Sequence, residues 1–402
     1  MRPFDGRRVL LGVTGGIASY KTVMLARLLT QAGAEVDVVM TRSALEFVGA
    51  ITFEAVTGRR TYSEIFGAGN ALDHIHLAQS ADVFVVAPAT ADFLARAAHG
   101  LADDLLSAAL LANQSPVLLV PAMNDRMWAN MQTAKNVESL RERGYTVLDP
   151  DTGPLAAGEG SGPGRMPEPD AIFSHVARIL DSDERLAGKR IVVTAGATRE
   201  AVDPVRFISN HSTGKMGIAI AEAAWRRGAD VTLVVGHVDV PVATGPRVVR
   251  TESVDEMAAA VASALPQADA LVMAAAPADF RPAQRRDQKI SKRADSSMSI
   301  ELAPTVDILK STMSARRDGA VIVGFALETG DAIDKGNAKL KEKSLDMIVV
   351  NDALEEGAGF GVDTNRVTIL SRDRDAESLP LMSKAAVADA ILDRVGPMMD
   401  GR

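Results

Sequence analysis

The same sequence unit occurs twice in the chain. Residues 7–40 read RRVLLGVTGG, a helical stretch and AGAEVDVVMT; residues 189–235 read KRIVVTAGAT, an insertion, a helical stretch and RGADVTLVV. Each copy is a strand, a glycine-containing turn, a helix and a second strand introduced by Gly-Ala and an acidic residue. Two such units, about 180 residues apart, predict two nucleotide-binding α/β domains. Because the two glycine turns differ, we expect different ligands.

Short apolar runs along the chain predict buried parallel strands. Several of them are apolar throughout and rich in Val and Ile, as expected where a sheet is covered on both faces. The predicted strands are Arg8–Val13, Glu35–Met40, Val83–Ala87, Val117–Val120, Arg190–Thr194, Asp230–Val235, Ala270–Ala275, Val321–Phe325 and Met347–Val350. Helical stretches between them include Tyr20–Ala32, Ala91–Leu110 and Gly217–Arg227. This alternation favours an α/β fold with two Rossmann-like parallel-sheet domains.

The acidic stretch Asp181–Glu184 predicts a boundary between domains 1–184 and 185–402.

The amino-acid composition excludes several classes of protein. With 44 basic and 52 acidic residues the net charge is −8, so the basic excess of a nucleic-acid-binding protein is missing. The chain has no cysteine, which excludes disulfides, zinc–thiolate and iron–sulfur sites, and a cysteine nucleophile. With no signal-peptide core and no apolar stretch of ~20 residues, we expect a cytoplasmic protein without a membrane partner.

Three turns of the first half follow predicted strands. Residues 15–21 (GGIASYK) open a helix, where glycines and N–H groups favour a phosphate, although such turns also occur without a ligand. Residues 41–43 (TRS) and 87–92 (APATAD) lie at the edge where open α/β sheets bind ligands. GxGxxG is absent from both glycine turns of the chain, which counts against a nicotinamide dehydrogenase.

Two polar side chains of the first half are candidates for chemistry. His74 stands in DHIHL beside Asp73, a carboxylate that could orient its ring. Asn124 in PAMNDRMW follows a buried strand, so its carboxamide either enters an apolar pocket or caps the next helix. The loop Asp151–Glu168 is rich in glycine and proline, which is more typical of an active-site flap than of a fold element.

These strings, together with GPGRMPEP in the loop, resemble the flavin-containing cysteine decarboxylases over about residues 7–180. The resemblance implies His74 as the essential histidine, Asn124 as the side chain that holds the substrate carboxylate, and bound FMN. The implied FMN positions are Gly15, Gly16, Ile17, Ala18, Thr41, Ser43, Pro88, Ala89 and Thr90. The implied substrate positions are Met127, Ala157, Arg165 and Met166.

One flap position departs from the family pattern. The family has Leu-Ala-Cys-Gly, and its cysteine donates the proton for the final reduction, whereas Ala157 stands here. Either Glu159 or water replaces the thiol, or the oxidised enethiol is released, or this half is a flavin-binding regulator. A smaller departure is Asp103, where the family usually has asparagine.

The second half offers cations for an anionic ligand. Residues 203–217 (DPVRFISNHSTGKMG) include Lys215 in Gly-Lys, but GxxxxGK[ST] is absent, which disfavours a Walker ATPase. Lys339 and Lys343 are spaced i,i+4 on one helical face. That pair is either a solvated surface or, together with Lys289 and Lys292, a clamp for a triphosphate.

With AAAPADF, KISK and GFALET, these residues resemble the phosphopantothenate–cysteine ligases over about 189–395. The resemblance implies that CTP activates 4′-phosphopantothenate as an acyl cytidylate, which the amine of cysteine then attacks. Asn210 matches the residue for cytidylate formation, Lys289 the residue for its conversion, and Arg206 a phosphopantothenate contact. The implied CTP positions are Ala274, Ala275, Ala276, Asp279, Lys289, Pro304, Thr305, Val306, Asp307, Phe325, Lys339 and Lys343.

With both resemblances in this order, the chain resembles the family of bifunctional decarboxylase–ligases of bacterial coenzyme A synthesis. That family implies a homododecamer built from trimeric flavin domains and dimeric ligase domains, and Mg²⁺ accompanying CTP. The choice between CTP and ATP, the metal ligands and the assembly size stay open at this point.

Overall fold

A computed structural model describes residues 4–66, 72–155, 158, 160–242, 244–291, 299–328, 330–352, 359, 361–372 and 374–401. The chain forms two compact units, Met1–Leu180 and Asp181–Arg402. Each unit has its own parallel sheet, and helices cover both faces of each sheet with apolar side chains.

The first unit contains a six-stranded parallel sheet and a separate hairpin. Its strands are β1 (Arg8–Val13), β2 (Glu35–Met40), β3 (Thr61–Tyr62), β4 (Val83–Ala89), β5 (Val117–Pro121), β6 (Thr146–Val147), β7 (Asp151–Pro154) and β8 (Ser161–Arg165). Its helices are α1 (Ser19–Gln31), α2 (Ala50–Thr57), α3 (Asp73–Ser80), α4 (Ala91–His99), α5 (Leu105–Ala112), α6 (Asp125–Trp128), α7 (Met131–Glu142) and α8 (Pro169–Leu180). The sheet order is β3-β2-β1-β4-β5-β6, and β7 pairs antiparallel with β8.

The second unit repeats this order and extends it. Its strands are β9 (Arg190–Ala195), β10 (Arg199–Ala201), β11 (Phe207–Ser209), β12 (Asp230–Val235), β13 (Arg247–Arg250), β14 (Ala270–Met273), β15 (Phe280–Pro282), β16 (Leu302–Pro304), β17 (Val321–Glu328), β18 (Met347–Asp352), β19 (Thr364–Asn365), β20 (Val367–Ser371), β21 (Arg374–Ser378) and β22 (Met382–Ser383). Its helices are α9 (Lys215–Arg226), α10 (Val254–Ala264), α11 (Ile308–Ser311), α12 (Ala332–Glu342) and α13 (Lys384–Asp400).

The large sheet of the second unit has the order β13-β12-β9-β14-β17-β18-β20-β21. It is parallel from β13 to β18, whereas β20 and β21 are antiparallel additions. The predicted α/β fold with two Rossmann-like parallel sheets is confirmed, with this antiparallel extension not foreseen. In both units the order reverses beside the first strand, which opens a crevice at the carboxyl ends of the strands.

The continuous apolar strands are explained by two cores per sheet. In β1, Leu11 belongs to the cluster on one face and Leu10 to the cluster on the other, and both are at most 1% exposed. Successive side chains of a strand point to opposite faces, so a sheet covered on both sides needs apolar residues at every position.

The single helix predicted over Ala91–Leu110 is wrong. The structure has α4 and α5, separated at Gly100, whose φ of 69° is in the left-handed region that ends helices. Asp104 then caps α5, because its carboxylate accepts a hydrogen bond of 2.7 Å from the backbone N–H of Ser107. The apolar period continues across the break, which is why the sequence pattern did not reveal it.

Across the described ranges, no helix combines the length and the apolar character that crossing a bilayer would require.

Candidate functional site

The strand ends of the first unit bring the predicted FMN positions together. A Cβ on Gly15 would lie 2.3 Å from the Cβ of Ser43, so only glycine permits the turns after β1 and β2 to touch. A Cβ on Gly16 would lie 3.9 Å from Thr90 and 4.0 Å from Pro88. The three turns, at residues 15–16, 43 and 88–90, therefore form one surface at the crevice between β1 and β4.

Thr14 fixes this surface from below. Its hydroxyl donates to the carbonyl of Pro88 at 2.7 Å and accepts from the N–H of Thr90 at 3.2 Å. Ala18, which precedes α1, provides no side-chain cap to that helix, while Ile17 is 67% exposed. A rigid glycine turn and an uncapped helix start suit the phosphate of a mononucleotide. Thr41 is half-buried and Ala89 is buried in β4.

Asn124 serves as the helix cap that the sequence left open as an alternative. Its Oδ1 accepts a hydrogen bond of 2.9 Å from the N–H of Arg126 at the start of α6. The cap consumes the carboxamide oxygen, so the Nδ2 group is the part available to a ligand. An N–H donor is what a substrate carboxylate requires, so the cap and the predicted role are compatible.

The glycine-rich loop is a hairpin anchored at Asn124. The N–H of Met123 donates to the carbonyl of Gly164 at 3.0 Å. A Cβ on Gly164 would lie 2.2 Å from the carbonyl oxygen of Met123, and one on Gly162 would lie 2.9 Å from Asp125. Glycine is therefore needed where β8 crosses the residues on either side of Asn124. Ala157 and Glu159, which lie between β7 and β8 in the sequence, are outside the described residues.

Lys21 has a structural role that was not predicted from the sequence. Its side chain is buried, and its Nζ donates to the carbonyl of Met166 at 2.9 Å and to Glu168 at 3.0 Å. The hydrogen bond from Lys21 is the largest cause of a lowered pKa at Glu168, which also contacts Arg165. Lys21 thus ties the end of the flap to α1.

The predicted substrate positions of the first unit differ in accessibility. Met127 is 48% exposed and Arg165 is half-buried. Met166 is 1% exposed and packs in the apolar core, so its side chain is not accessible to a ligand in this chain. The signal that placed Met166 in the site was its position in the flap string, which did not distinguish a core side chain from a contact.

His74 lies in the first turn of α3, and its Nδ1 is buried. Neither that atom nor Oδ2 of Asp73 has a hydrogen-bond partner among the described residues. These two atoms therefore do not bond to one another, and orientation of His74 by Asp73 stays a prediction. Buried polar atoms without partners are rare in proteins and mark places where a further group belongs.

Asp103 forms an ion pair with Arg96, which also binds Asp92 at 2.8 Å. The hydrogen bond from Arg96 lowers the pKa of Asp103. The residue that replaces the usual asparagine is therefore held as an ion at a solvent-exposed position.

The second unit has a cavity of about 530 Å³ at the carboxyl ends of its strands. The predicted CTP residues that line it are Ala274, Ala275, Ala276, Asp279, Phe325, Lys339 and Lys343, together with Asn210. A smaller cavity of about 190 Å³ is lined by Thr305, Val306 and Asp307 and shares Asp279, Phe325 and Lys343 with the first. The structure thus brings together all the predicted CTP positions except Pro304, which ends β16, and Lys289.

The alanine-rich segment after β14 is held by buried hydroxyls. Thr194 accepts from the N–H of Ala275 at 3.0 Å, and Thr198 accepts from that of Ala278 at 2.9 Å. Asn210 then donates from Nδ2 to the carbonyl of Pro277 at 2.9 Å. This bond fixes the Asn210 carboxamide at the wall of the larger cavity.

Both lysines of the predicted clamp are paired with carboxylates. Lys339 contacts Glu328, and the Nζ of Lys343 lies 2.9 Å from Asp307. Burial is the largest influence and acts to raise the pKa of Asp307, but the hydrogen bond and charge of Lys343, together with the backbone N–H and charge of Lys310, lower the pKa overall. The alternative that these lysines form only a solvated face is not what the structure shows, since both line the cavity.

Arg206 and Lys289 are connected through Asp203, which the sequence analysis did not single out. The Asp203 carboxylate, 2% exposed, accepts from the N–H of Ile290 at 3.0 Å and from Arg206 Nη1 at 2.7 Å. Hydrogen bonds from the backbone of Ile290, Val205 and Arg206 lower its pKa to about 2. Arg206 also donates to the Ile290 carbonyl at 3.0 Å. In this chain, therefore, Arg206 holds the segment that carries the exposed Lys289, and Lys292 lies outside the described residues.

Comparison with known proteins places both units. A family model described as Flavoprotein matches residues 2–181, and one described as DNA/pantothenate metabolism flavoprotein C-terminal domain matches residues 186–398. The coenzyme A biosynthesis bifunctional protein CoaBC of Mycobacterium tuberculosis (strain ATCC 25618 / H37Rv) is 46% identical over 98% of this chain and 97% of its own length. The chain belongs to the CoaBC family. It is therefore a bifunctional enzyme of coenzyme A biosynthesis, with a decarboxylase-type flavoprotein unit followed by a ligase unit.

Other CoaBC proteins match over the same extent. The Bacillus subtilis protein is 43% identical over 98% of both chains, and that of Vibrio cholerae is 42% identical over 99% of this chain and all of its own. A solved structure of a CoaBC C-terminal domain is 38% identical and covers 55% of this chain and 100% of its own, with a TM-score of 0.47. The family predicted from the sequence is thus confirmed.

Proposed function

We propose that the second unit joins 4′-phosphopantothenate to cysteine with CTP, and that the first unit decarboxylates the product with FMN to give 4′-phosphopantetheine. The observation that carries the proposal is the cavity of the second unit, where a fixed carboxamide, an aromatic ring and two lysines meet. We assign the two activities to residues 1–184 and 185–402.

Amide formation explains this set of side chains. A carboxylate reacts with an amine only after activation, and its attack on the α-phosphate of CTP concentrates negative charge that cations stabilise. Lys339 in α12 and Lys343 directly after it supply the stabilising positive charge, while Asn210 supports formation of the acyl cytidylate. No group of three acidic or histidine side chains is gathered in the described ranges, so Mg²⁺ enters with the triphosphate, whose oxygens supply ligands.

Lys289 acts after the cytidylate has formed, and Arg206 and Asp203 hold its segment. Asn210→Ala should therefore suppress pyrophosphate release, whereas Lys289→Gln should let acyl cytidylate accumulate. Rapid quenching followed by mass spectrometry separates the two patterns. An equal block of both steps in the two folded variants would contradict these roles.

The surface formed by the three turns of the first unit fits FMN. Gly15 and Gly16 allow the phosphate to approach the start of α1, and the residues that follow β2 and β4 line the crevice beside it. FMN held at this surface would supply two-electron redox chemistry, in which the substrate carbon that bears the thiol would give up a hydride and its S–H a proton, and the decarboxylated product would later regain them. The Asn124 N–H group holds the carboxylate that is lost, His74 serves as the essential histidine, and the hairpin of β7 and β8 covers the substrate.

Ala157 supports one alternative for the first unit. Since alanine cannot donate a proton, the ligase unit could be fused to a flavin-binding unit with impaired or regulatory decarboxylase function. A coupled assay with mass spectrometry tests both readings. Pyrophosphate together with many turnovers of 4′-phosphopantetheine supports the main proposal, and pyrophosphate with no decarboxylated product supports the alternative. A protein that releases no pyrophosphate from CTP, 4′-phosphopantothenate and cysteine contradicts both.

The family implies a homododecamer, and the buried Nδ1 of His74, which has no partner among the described residues, is consistent with a site completed by neighbouring chains. Light scattering of the full chain should give a mass many times that of the 42.4 kDa monomer. A monomer would overturn this part of the proposal.

A further inference from the structure

The cavity of about 530 Å³ in the second unit has a wall that the CTP assignment does not use. This wall consists of Lys215 and Met216 at the start of α9, Asn351 near the end of β18, Asn365 in β19 and Lys384 at the start of α13. Only Lys215 among them was considered from the sequence, as a general cation. We refer to these five residues as the inner wall.

Two oxygens of the inner wall are buried and have no donor. They are Oδ1 of Asn351 and Oδ1 of Asn365, which lack a hydrogen-bond partner within the described part of the chain. Asn365 is 1% exposed, and its Nδ2 lies 3.8 Å from the sulfur of Met216. Buried acceptors of this kind in a cavity indicate a ligand that brings N–H or O–H donors.

The inner wall also contains the ammonium groups of Lys215 and Lys384. The Nζ of Lys215 donates to Asp363 at 2.6 Å and to the carbonyl of Gly361 at 2.9 Å, which uses two of its three N–H groups. The Nζ of Lys384, 7% exposed, donates to the carbonyl of Val362 at 2.6 Å. Lys384 also donates to the carbonyl of Gly359 at 3.2 Å, and among the described residues Asp363 is the carboxylate beside the two ammonium groups, so this part of the inner wall is positively charged.

The inner wall combines oxygen atoms that lack hydrogen-bond donors with nearby ammonium groups, which is the pattern that would bind the ammonium and the carboxylate of an amino acid. We propose that the inner wall is the amino-acid subsite of the ligase, where Asn351 and Asn365 accept from the ammonium of cysteine while Lys215 and Lys384 attract its carboxylate. This rests on the proposed ligase function. The subsite opens into the cavity that contains Asn210, so the amine is bound in the same space as the activated carboxylate.

Other ligands fit this wall less well. Phosphate oxygens are acceptors, so they would face two further acceptors at Asn351 and Asn365. A divalent cation would be repelled by the two neighbouring ammonium groups. An α-amino acid satisfies both halves of the wall at once.

The test uses the full chain with CTP, Mg²⁺ and 4′-phosphopantothenate, and compares wild type with Asn365→Leu and Asn351→Leu. We expect the KM for cysteine to rise about tenfold or more, because a hydrogen bond to a charged group is lost. Pyrophosphate release before cysteine is added should be unchanged. Capture of the acyl cytidylate by hydroxylamine, an amine without a carboxylate, should also keep its rate.

Asn337→Leu is the matched control, since it makes the same change at an exposed position of α12 and should leave all three measurements unchanged. An unaltered KM for cysteine in both test variants overturns the subsite, as does an equal loss of pyrophosphate release or of hydroxylamine capture. Absence of pyrophosphate release in the wild type would instead overturn the proposed ligase function.

A second measurement does not depend on the folding of the asparagine variants. With the wild type, cysteamine, which is cysteine without its carboxylate, should have a KM about tenfold or more above that of cysteine. Lys215→Met should shrink this ratio by weakening cysteine alone. Equal use of both amines by the wild type would overturn the carboxylate half of the subsite.

Discussion

The two units share one strand order but prepare their candidate sites in opposite ways. In the second unit the charged candidates already have partners: Lys339 contacts Glu328, Lys343 binds Asp307, and Arg206 binds Asp203. In the first unit, His74 Nδ1 and Asp73 Oδ2 are buried without partners among the described residues. The ligase unit therefore pairs these candidate cations within one chain, whereas the histidine and carboxylate of the flavoprotein unit each have a buried atom without a partner in the described ranges.

The strongest test of this difference is a variant that abolishes the activity of one unit and leaves the activity of the other unchanged. Asn210→Ala should lower pyrophosphate release about a hundredfold or more, because a fixed group that supports a charged transition state is lost. Decarboxylation of supplied phosphopantothenoylcysteine should continue at the wild-type rate. A matching loss of both activities would mean that the two sites are coupled.

Gly15→Ala should silence the other unit. The new Cβ would lie 2.3 Å from that of Ser43, so the two turns must separate and the purified protein should lose most of its flavin absorbance. Pyrophosphate release by the ligase unit should stay at the wild-type level. Gly58→Ala is the control, since a Cβ there meets nothing within 4 Å and carries only the strain of its positive φ. Full flavin content in Gly15→Ala would contradict the assigned phosphate position.

Lys21→Met should weaken the flap rather than abolish the first activity. The variant keeps the buried stem of the side chain but removes the ammonium donor of the Met166 carbonyl and leaves Glu168 paired with Arg165, at a cost of about 1–3 kcal/mol in the stability of that region. Hydrogen exchange of residues 161–168 should become faster, and the KM for phosphopantothenoylcysteine should rise. Protection equal to wild type would show that Lys21 does not anchor the flap.

The second unit should also lose stability in acid through Asp203. Its pKa of about 2 in the folded protein lies below the ordinary value of 3.8, so the unfolded state binds more protons between these values. The stabilisation is complete above about pH 4 and is lost as the pH falls toward 2. Asp203→Asn should remove this part of the pH dependence of the unfolding temperature. An unchanged acid slope would contradict the assignment.

The smallest expected effect concerns Ala157. We expect slow but complete turnover of the first unit, and Ala157→Cys should accelerate the last reduction several-fold by providing a proton donor at that place. Single-turnover flavin absorbance, read beside product mass, measures this. A rate of flavin reoxidation that the substitution leaves unchanged would mean that the proton comes from elsewhere.

The strands of the sheets were predicted well from the sequence, because a buried parallel strand is a short continuous run of apolar residues. Arg8–Val13, Glu35–Met40 and Asp230–Val235 have the same bounds in the structure as in the prediction. The break at Gly100 was missed, since apolar period alone does not report a left-handed residue. The antiparallel strands β20 and β21 were also missed, because they carry no repeat of the first unit.

Site residues could be predicted where a sequence motif directly follows a strand. They could not be predicted where their hydrogen-bond partners are distant in the sequence. Asp203 binds Ile290, 87 residues away, and Lys21 binds Met166, 145 residues away, so neither pattern is visible in a local string. Asn124 shows the opposite limit. Both of its readings were visible in the sequence, and only the structure showed that one carboxamide can satisfy both.

The paired lysines of the second unit have a consequence for how ionic strength acts on the enzyme. Glu328 and Asp307 are internal counterions of Lys339 and Lys343, so the triphosphate of the proposed CTP site would replace resident carboxylates and displace few ions from solution. CTP affinity should then depend only weakly on added salt, unlike binding to an open basic patch. A ligand with fewer negative charges than a triphosphate should bind more weakly here, because it competes less well with the two carboxylates for the lysines. The number of negative charges on the ligand would then contribute to specificity.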